Sequence, residues 1–578
     1  MTMVKRSAIA LLLAASMLAG CSGSDPADSA DLVLRGGQIL TMSSDSSQAT
    51  AMAVREGRIL AVGSDAEIAR LIDAKTQVID LAGRAVLPGF IDTHIHSAEG
   101  SLEFGKCQLD DAPLAPADIA ARVRACDVED RKQHPQPGRW LEVIGLNPSG
   151  LVMTAKSLDA MVADRPLILR GSDYHTAWVN SQAMVAAHIG RDTPNPPGGI
   201  IERDSAGNAT GFLKDPPAIS LALKAIPKLS EDERLQRLTQ AQAMHSSHGI
   251  TSIVEPKAGE EELALYAEQI RRGTPPLNIH AMLLSDISDK PETYERLANL
   301  RARYQGKSPW LVIGAVKVLP DGAIEYPTQT AAMLEPYRDT AGKPTANRGE
   351  RYFDPAEFAR FVTRIEQMGF RLHVHSIGDY TTRAALDAIA AARAANGAGD
   401  RRHAITHLQA VDPTDFPRFR ELGVIANMQL LWAVADDYTV KAVKPFVSER
   451  TFRYMYPARS LVDAGATLTG SSDWPVSTDD PLQAMRHAMT RRVAPDAPVL
   501  EPAERVDLPT ILAAYTRNAA FAINAEKNLG TLEAGKVADI VVLNRAINLP
   551  SSAGSSDGLD GVVVDMTFSH GRRVFERR

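Results

Sequence analysis

The chain has 578 residues, 44% of them hydrophobic and 23% charged, and 63 Lys and Arg against 70 Asp and Glu leave a net charge of −7. This is a globular balance that excludes disordered and collagen-like classes, and the slight acidity with no clustered basic run argues against nucleic acid as the main partner. The length is ample for a large core and suits a long α/β barrel carrying extra parts.

Lys5 and Arg6 precede an apolar stretch from Ala8 to Ala19, and Leu18-Ala19-Gly20-Cys21 follows. Charged head, short apolar core and small-residue cleavage site read as a secretory signal over 1–20, too short to span a bilayer as a stable helix. The tetrapeptide looks like a bacterial lipobox, so Cys21 is the expected lipidation site. The expected product is an exported bacterial lipoprotein, anchored to the membrane through Cys21 and facing the periplasm, with 21–30 as a small, polar linker. Export puts Cys107 and Cys126 where a disulfide is permitted, and paired or separate thiols both stay open.

Short β-like runs then follow, among them Leu32-Val33-Leu34, Ala51 to Val54, Arg58 to Val62 and Gln77 to Leu81, with Gly36-Gly37, Glu56-Gly57 and Ala82-Gly83 as turns. The last 50 residues return to that texture, and the two ends are expected to form one sheet domain. Between them, apolar strand-like runs alternate with helical ones, the rhythm of β-α units around a parallel sheet or barrel. Strands are expected at Val86 to Ile91, Ile250 to Val254, Leu311 to Val318, Arg371 to Val374, Ala404 to Ile405, Gly423 to Ala426 and Ala466 to Thr469. Helices are expected over Ala356 to Met368 and Thr381 to Asn396. Residues from about 100 to 240 break the rhythm with proline-rich turns and read as an insertion.

His94 and His96 close the run Pro88-Gly89-Phe90-Ile91-Asp92-Thr93-His94-Ile95-His96. On a strand, side chains at i and i+2 share a face and can converge on one metal ion. Later strand-like runs end in Lys317, His375, His407 and Asp473, and in a barrel such strand ends ring one mouth. Imidazole and carboxylate suit zinc and similar divalent ions, and without a thiolate cluster an open, catalytic site is expected.

These motifs, together with Asp173 to Asn180, Gly198 to Asp204, Lys317-Val318-Leu319-Pro320-Asp321-Gly322, His375-Ser376-Ile377-Gly378-Asp379, Ser472-Asp473-Trp474-Pro475 and Gly530 to Asp539, resemble the amidohydrolase superfamily over about 31 to 578. The match is to its family 3 branch, which includes N-substituted formamide deformylases. The resemblance implies a distorted TIM (β/α)8 barrel over 88–525, with the inserted segment near its first strand and a β-sandwich domain from 31–87 and 526–578. It implies one or two divalent metal ions, zinc by ligand type: His94 and His96 on the more buried ion, His375 and His407 on the more exposed one, carboxylated Lys317 bridging both, and Asp473 as a further ligand. The reaction implied is hydrolysis of a non-peptide C–N bond in an amide, formamide or cyclic amide by metal-activated hydroxide, with Asp473 as proton shuttle. His175, Asp321 and Trp474 are expected at the small-molecule substrate, and an oligomer is compatible with all of this.

The remaining histidines receive other expectations. His373 is assigned to packing or to backing a ligand, His403 to a hydrogen-bonded surface role, and His245 and His248 to structure. Thr406 stands where relatives often carry a carboxylate, which leaves the support of His407 open. Two rival readings are a deaminase on the same barrel and a lipoprotein that binds a ligand without turnover. Deaminases of this kind carry H-x-x-E after a later strand, whereas the only such spacing here is His96 to Glu99.

Overall fold

The computed structural model describes residues 29–43, 49–133, 135, 138–273, 275–549 and 558–578. The expected signal segment and Cys21 lie outside these residues. Eight parallel strands form the central sheet: β1 (Phe90–Asp92), β2 (Ile250–Ala258), β3 (Asn278–Leu284), β4 (Leu311–Val318), β5 (Arg371–Ser376), β6 (Ala404–His407), β7 (Ile425–Met428) and β8 (Thr467–Gly470). They pair in chain order. Beyond the last regular pairing, Thr93 Oγ1 donates to the Gly470 carbonyl at 2.8 Å and the Asp473 amide to the His94 carbonyl at 2.8 Å, drawing β8 back onto β1. The sheet is therefore a nearly closed TIM-type barrel.

Helices fill the outer layer for identifiable reasons. Pro355–Gln367 begins where the Asp354 side chain accepts from the Glu357 amide, with proline at the first helical position. Phe358, Phe361, Val362 and Ile365 recur at helical spacing and are all fully buried against the barrel, each contributing roughly 1.5–3 kcal/mol. Its bounds fall one residue earlier at each end than the sequence suggests. The alanine-rich helix starts at Asp379, two residues before its expected start.

One expected strand divides in two. Ala85–Pro88 belongs to the terminal sheets and Phe90–Asp92 to the barrel, with Gly89 between. A Cβ at Gly89 would sit 2.2 Å from Thr251 Oγ1, so only glycine lets the chain pass from one sheet to the other here. The terminal sheets comprise Arg58–Gly63, Ala51–Arg55, Leu32–Arg35 and Gln77–Asp80 on one side, and Gln38–Ile39, Ala85–Pro88, Ile540–Leu543, Val564–Ser569 and Arg572–Glu576 on the other. Leu34, Met52, Val54, Val86, Ile540, Val542 and Phe568 form the apolar layer they share.

Between β1 and β2 a separate six-stranded sheet runs from Cys107–Gln108 to Ala209–Lys214, with its own core around Trp178, Leu169 and Val143. Cys107 and Cys126 are joined by a disulfide with their Cα atoms 5.9 Å apart, tying this sheet's edge to helix Pro116–Gln133.

Candidate metal centre

The mouth formed by the strand C-termini gathers the expected residues. His94 and His96 do not lie on a strand, as i, i+2 spacing suggested: β1 stops at Asp92 and both occupy the loop behind it. They still converge, because Nε2 of His94 lies 3.2 Å and Nε2 of His96 3.1 Å from Asp473 Oδ1. His407 reaches the same carboxylate at 3.9 Å. His94, His407 and Asp473 each offer a ligand atom within 4.8 Å of the others. His375 packs beside them, its ring centroid 4.6 Å from that of His407. Lys317, 2% exposed, places Nζ 3.5 Å from His94 Nε2. Two of these residues hold left-handed backbone geometry, His407 at φ 76° and Asp473 at φ 57°, the kind of local strain that clusters at working sites.

His375, His407 and His94 are each oriented from behind through Nδ1, leaving Nε2 for the centre. His375 Nδ1 meets Asp321 Oδ1 at 2.9 Å, and His407 Nδ1 meets Gln429 Oε1 at 2.9 Å. His94 Nδ1 and His373 Nε2 share a hydrogen bond of 2.8 Å. Thr406 does not support His407 directly. It donates instead to Asn427 Oδ1 at 2.6 Å, while Gln429, one strand further on, takes that place.

Burial pushes His94 and His407 well below the usual imidazole pKa, and the neighbouring Lys317 or His375 lowers them further. Burial also lowers His375, partly offset by Asp321. Neutral imidazoles are the form a cation requires. Burial alone would raise Asp473, but His96, His407 and Lys317 outweigh it and hold the carboxyl below its ordinary range. The Lys317 ammonium is pushed down to about 7 by burial.

The donor set fits a divalent cation. Asp473 Oδ1 is buried without an aligned hydrogen-bond partner, an expensive arrangement unless something else satisfies it. The chemistry is also right: neutral imidazoles, an anionic carboxylate and no thiolate.

The three residues expected at the substrate separate. His175 lies at the rim of the centre, its ring 5.5 Å from that of His375, with Nδ1 held by Asp215 Oδ1 at 2.6 Å. Burial would lower its pKa, but the hydrogen bond to Asp215 wins and raises it. Trp474 is half-buried between Phe104, with ring centroids 6.3 Å apart, and His245 at 5.0 Å. Asp321 is placed differently from the expectation. Its carboxylate has no exposed surface and accepts from Gly378 N at 2.9 Å, Thr381 Oγ1 at 2.8 Å and Ala332 N at 3.2 Å besides His375, which suits orienting His375 and leaves no face for a substrate.

Of the remaining histidines, His403 departs from its sequence reading, while His245 and His248 take the structural place expected of them. His403 is not on the surface: it is 1% exposed, bonded through Nε2 to Glu366 at 2.7 Å and through Nδ1 to the Leu372 amide at 2.9 Å. His245 and His248 both bind Asp479 through Nδ1, at 2.6 and 2.9 Å, and His245 Nε2 is 3.1 Å from Ser97 Oγ. Glu99, near His96, forms an ion pair with Lys257 at 2.9 Å. Among these supports, Gln429 and Asp479 carried no local signal in the sequence, since each acts across a long chain separation.

A barrel whose strand ends assemble histidines, a lysine and an aspartate around one point defines a metal-dependent hydrolase. The amidohydrolase family model matches residues 77–575, and the chain belongs to that family. It is 31% identical over 532 residues to Protein LONG AFTER FAR-RED 3 of Arabidopsis thaliana, covering 89% of this chain and 87% of that protein. To the N-substituted formamide deformylase of Arthrobacter pascens it is 26% identical, covering 81% and 85%. Among solved structures, an uncharacterized metal-dependent hydrolase from Pyrococcus furiosus superposes with a TM-score of 0.66 at 26% identity, covering 89% of this chain and 99% of that one.

Proposed function

We propose that this enzyme hydrolyses the C–N bond of an amide, formamide or cyclic amide, using a divalent centre held by His94, His96, Lys317, His375, His407 and Asp473. The observation that carries the reading is Asp473 Oδ1, buried, without an aligned hydrogen bond and within 3.2 Å of two imidazole nitrogens. A divalent ion there, zinc by its nitrogen and oxygen ligands, supplies Lewis acidity and acidifies a water. Asp473 then takes the proton of the attacking water and returns it to the departing nitrogen. His175, steadied by Asp215, and Trp474 contact the substrate. The formamide deformylase relative supports this class of bond. The deaminase reading is weaker, because Glu99, its only candidate glutamate at H-x-x-E spacing, is already bound to Lys257.

Lys317 carries the bridge in this proposal. Buried and pushed toward neutrality, its neutral amine would form an N–C bond to carbon dioxide, release one proton to solvent and become an anionic carbamate able to hold a cation, which an ammonium cannot. Elemental mass spectrometry of the purified protein is expected to give close to two divalent ions per chain, falling on Lys317→Ala. One ion in both proteins would remove the bridge, and none after metal supplementation would remove the hydrolase.

The same proposal places the protein outside the cytoplasm as a lipoprotein anchored at Cys21. The Cys107–Cys126 disulfide accords with an oxidising compartment, and among the described residues no helix is long and apolar enough to cross a membrane. Cys21→Ser is expected to shift the protein from the detergent-extracted membrane fraction to the soluble fraction. Unchanged fractionation would sink the anchor.

A further inference from the structure

Beneath the metal centre, toward the N-terminal ends of the barrel strands, lies a cavity of about 20 Å³, room for a water or an ion of similar size. Arg371 opens β5, with His373 and His375 two and four positions on. This strand therefore carries a metal-facing histidine, a histidine that backs His94, and an arginine at the floor. Arg371, Arg402, His373, Asn427, Thr469 and Thr93 are the polar residues around the cavity, and no Asp or Glu lines it.

Arg371 makes no hydrogen bond or ion pair with any described residue. Burial and the nearby Arg402 push its pKa down to about 10, so the guanidinium stays cationic at neutral pH. The carboxylate within its field, Glu526, is already engaged by Arg402 through two hydrogen bonds of 3.0 and 2.9 Å. Gly314 makes room for this side chain, since a Cβ there would fall 2.7 Å from Arg371 Nη2. A partly buried cation beside a second cation, with its nearest carboxylate engaged elsewhere, carries an unfavourable charge balance.

The neutral groups at the cavity supply hydrogens more readily than lone pairs. Thr469 Oγ1 accepts from Asn427 Nδ2 at 3.0 Å and keeps its own hydrogen free. Asn427 Oδ1 is occupied by Thr406 at 2.6 Å and Ser471 at 3.0 Å. His373 has Nε2 engaged with His94 and, among the described residues, no hydrogen-bond partner at Nδ1. We propose that the cavity binds one small monovalent anion of the chloride class, held by the Arg371 guanidinium with Thr469 and His373 as neutral donors. The anion neutralises the floor and fixes His373, which in turn holds the ring of His94.

The test is thermal unfolding of the full-length, metal-loaded protein in sodium chloride against sodium gluconate at equal ionic strength, gluconate being too large for the space. A ligand that binds only the folded state raises stability with the logarithm of its concentration. The expected rise in Tm is about 1–3 °C between low and high chloride, present in wild type and absent in Arg371→Gln. Equal Tm in the two salts, or the same rise in Arg371→Gln, overturns the site. Should Arg371→Gln fail to fold, wild-type crystals soaked in sodium bromide decide it by anomalous diffraction. A bromide peak within hydrogen-bond reach of Arg371 supports the proposal, and a cavity without one overturns it.

Discussion

Asp473→Asn is expected to lower kcat/KM about 10²- to 10⁴-fold, the span typical of a lost general acid–base, while the protein keeps its fold. The amide preserves the shape and one ligand oxygen but cannot accept the proton of the attacking water or return it to the leaving nitrogen. Because His94, His96 and His407 remain in place around it, most of the bound metal should be retained. The check pairs a rate measurement on a panel of amides with elemental analysis of the same preparation. Turnover unchanged at full metal occupancy would remove Asp473 from the proton path, and loss of metal in step with rate would reduce it to a ligand.

The second large effect concerns stability. Asp479 is 1% exposed and binds two histidines, so Asp479→Ala leaves His245 buried without its carboxylate partner. Breaking a buried pair from one side costs about 3–5 kcal/mol, measurable by urea unfolding. Burial would raise the Asp479 pKa, but His245 and His248 reverse that and hold it far below the ordinary carboxylate value. Its contribution is therefore present above the unfolded pKa of about 3.9 and lost as pH falls through the lower folded value. Burial would lower His248, yet its bond to Asp479 raises it, so that part is complete below about pH 6.5 and lost as pH rises through the folded pKa. The stability gap between wild type and Asp479→Ala should be widest between about pH 4 and 6.5. A gap that does not vary with pH would mean that charge on this cluster contributes nothing.

Sequence made the barrel and the centre legible to different depths. His94, His96, Lys317, His375, His407 and Asp473 stood at the ends of apolar runs, and strand ends in a barrel meet whatever their separation in the chain. What backs those residues was hidden. Gln429 reaches His407 from the following strand pair, and Asp479 reaches His245 across 234 positions, so no local pattern announces either. His403 was expected in a hydrogen-bonded surface role, yet Glu366 from a helix across the layer draws it inside. Asp321 lay in a motif and invited a substrate role, while it binds His375 and takes its four other donors from Ala332, Ile377, Gly378 and Thr381 around that histidine. A residue type in a motif indicates that a position matters. Which neighbour it serves is a property of the folded chain.

The pairing of Ala85–Pro88 with Ile540–Leu543 has a consequence for how the enzyme comes into being. Pro88 and Ile540 are register partners, although about 450 residues separate them, and Gly89 hands the same run directly to β1 and on to His94 and His96. At roughly 5–20 residues per second of synthesis, the ribosome needs on the order of 20–90 s between making one partner and making the other. Throughout that interval the strand leading into His94 has no neighbour on that edge. The sheet that feeds the run into β1 is thus completed only at the end of translation, so the approach to His94 gains its last neighbour when the final strands emerge.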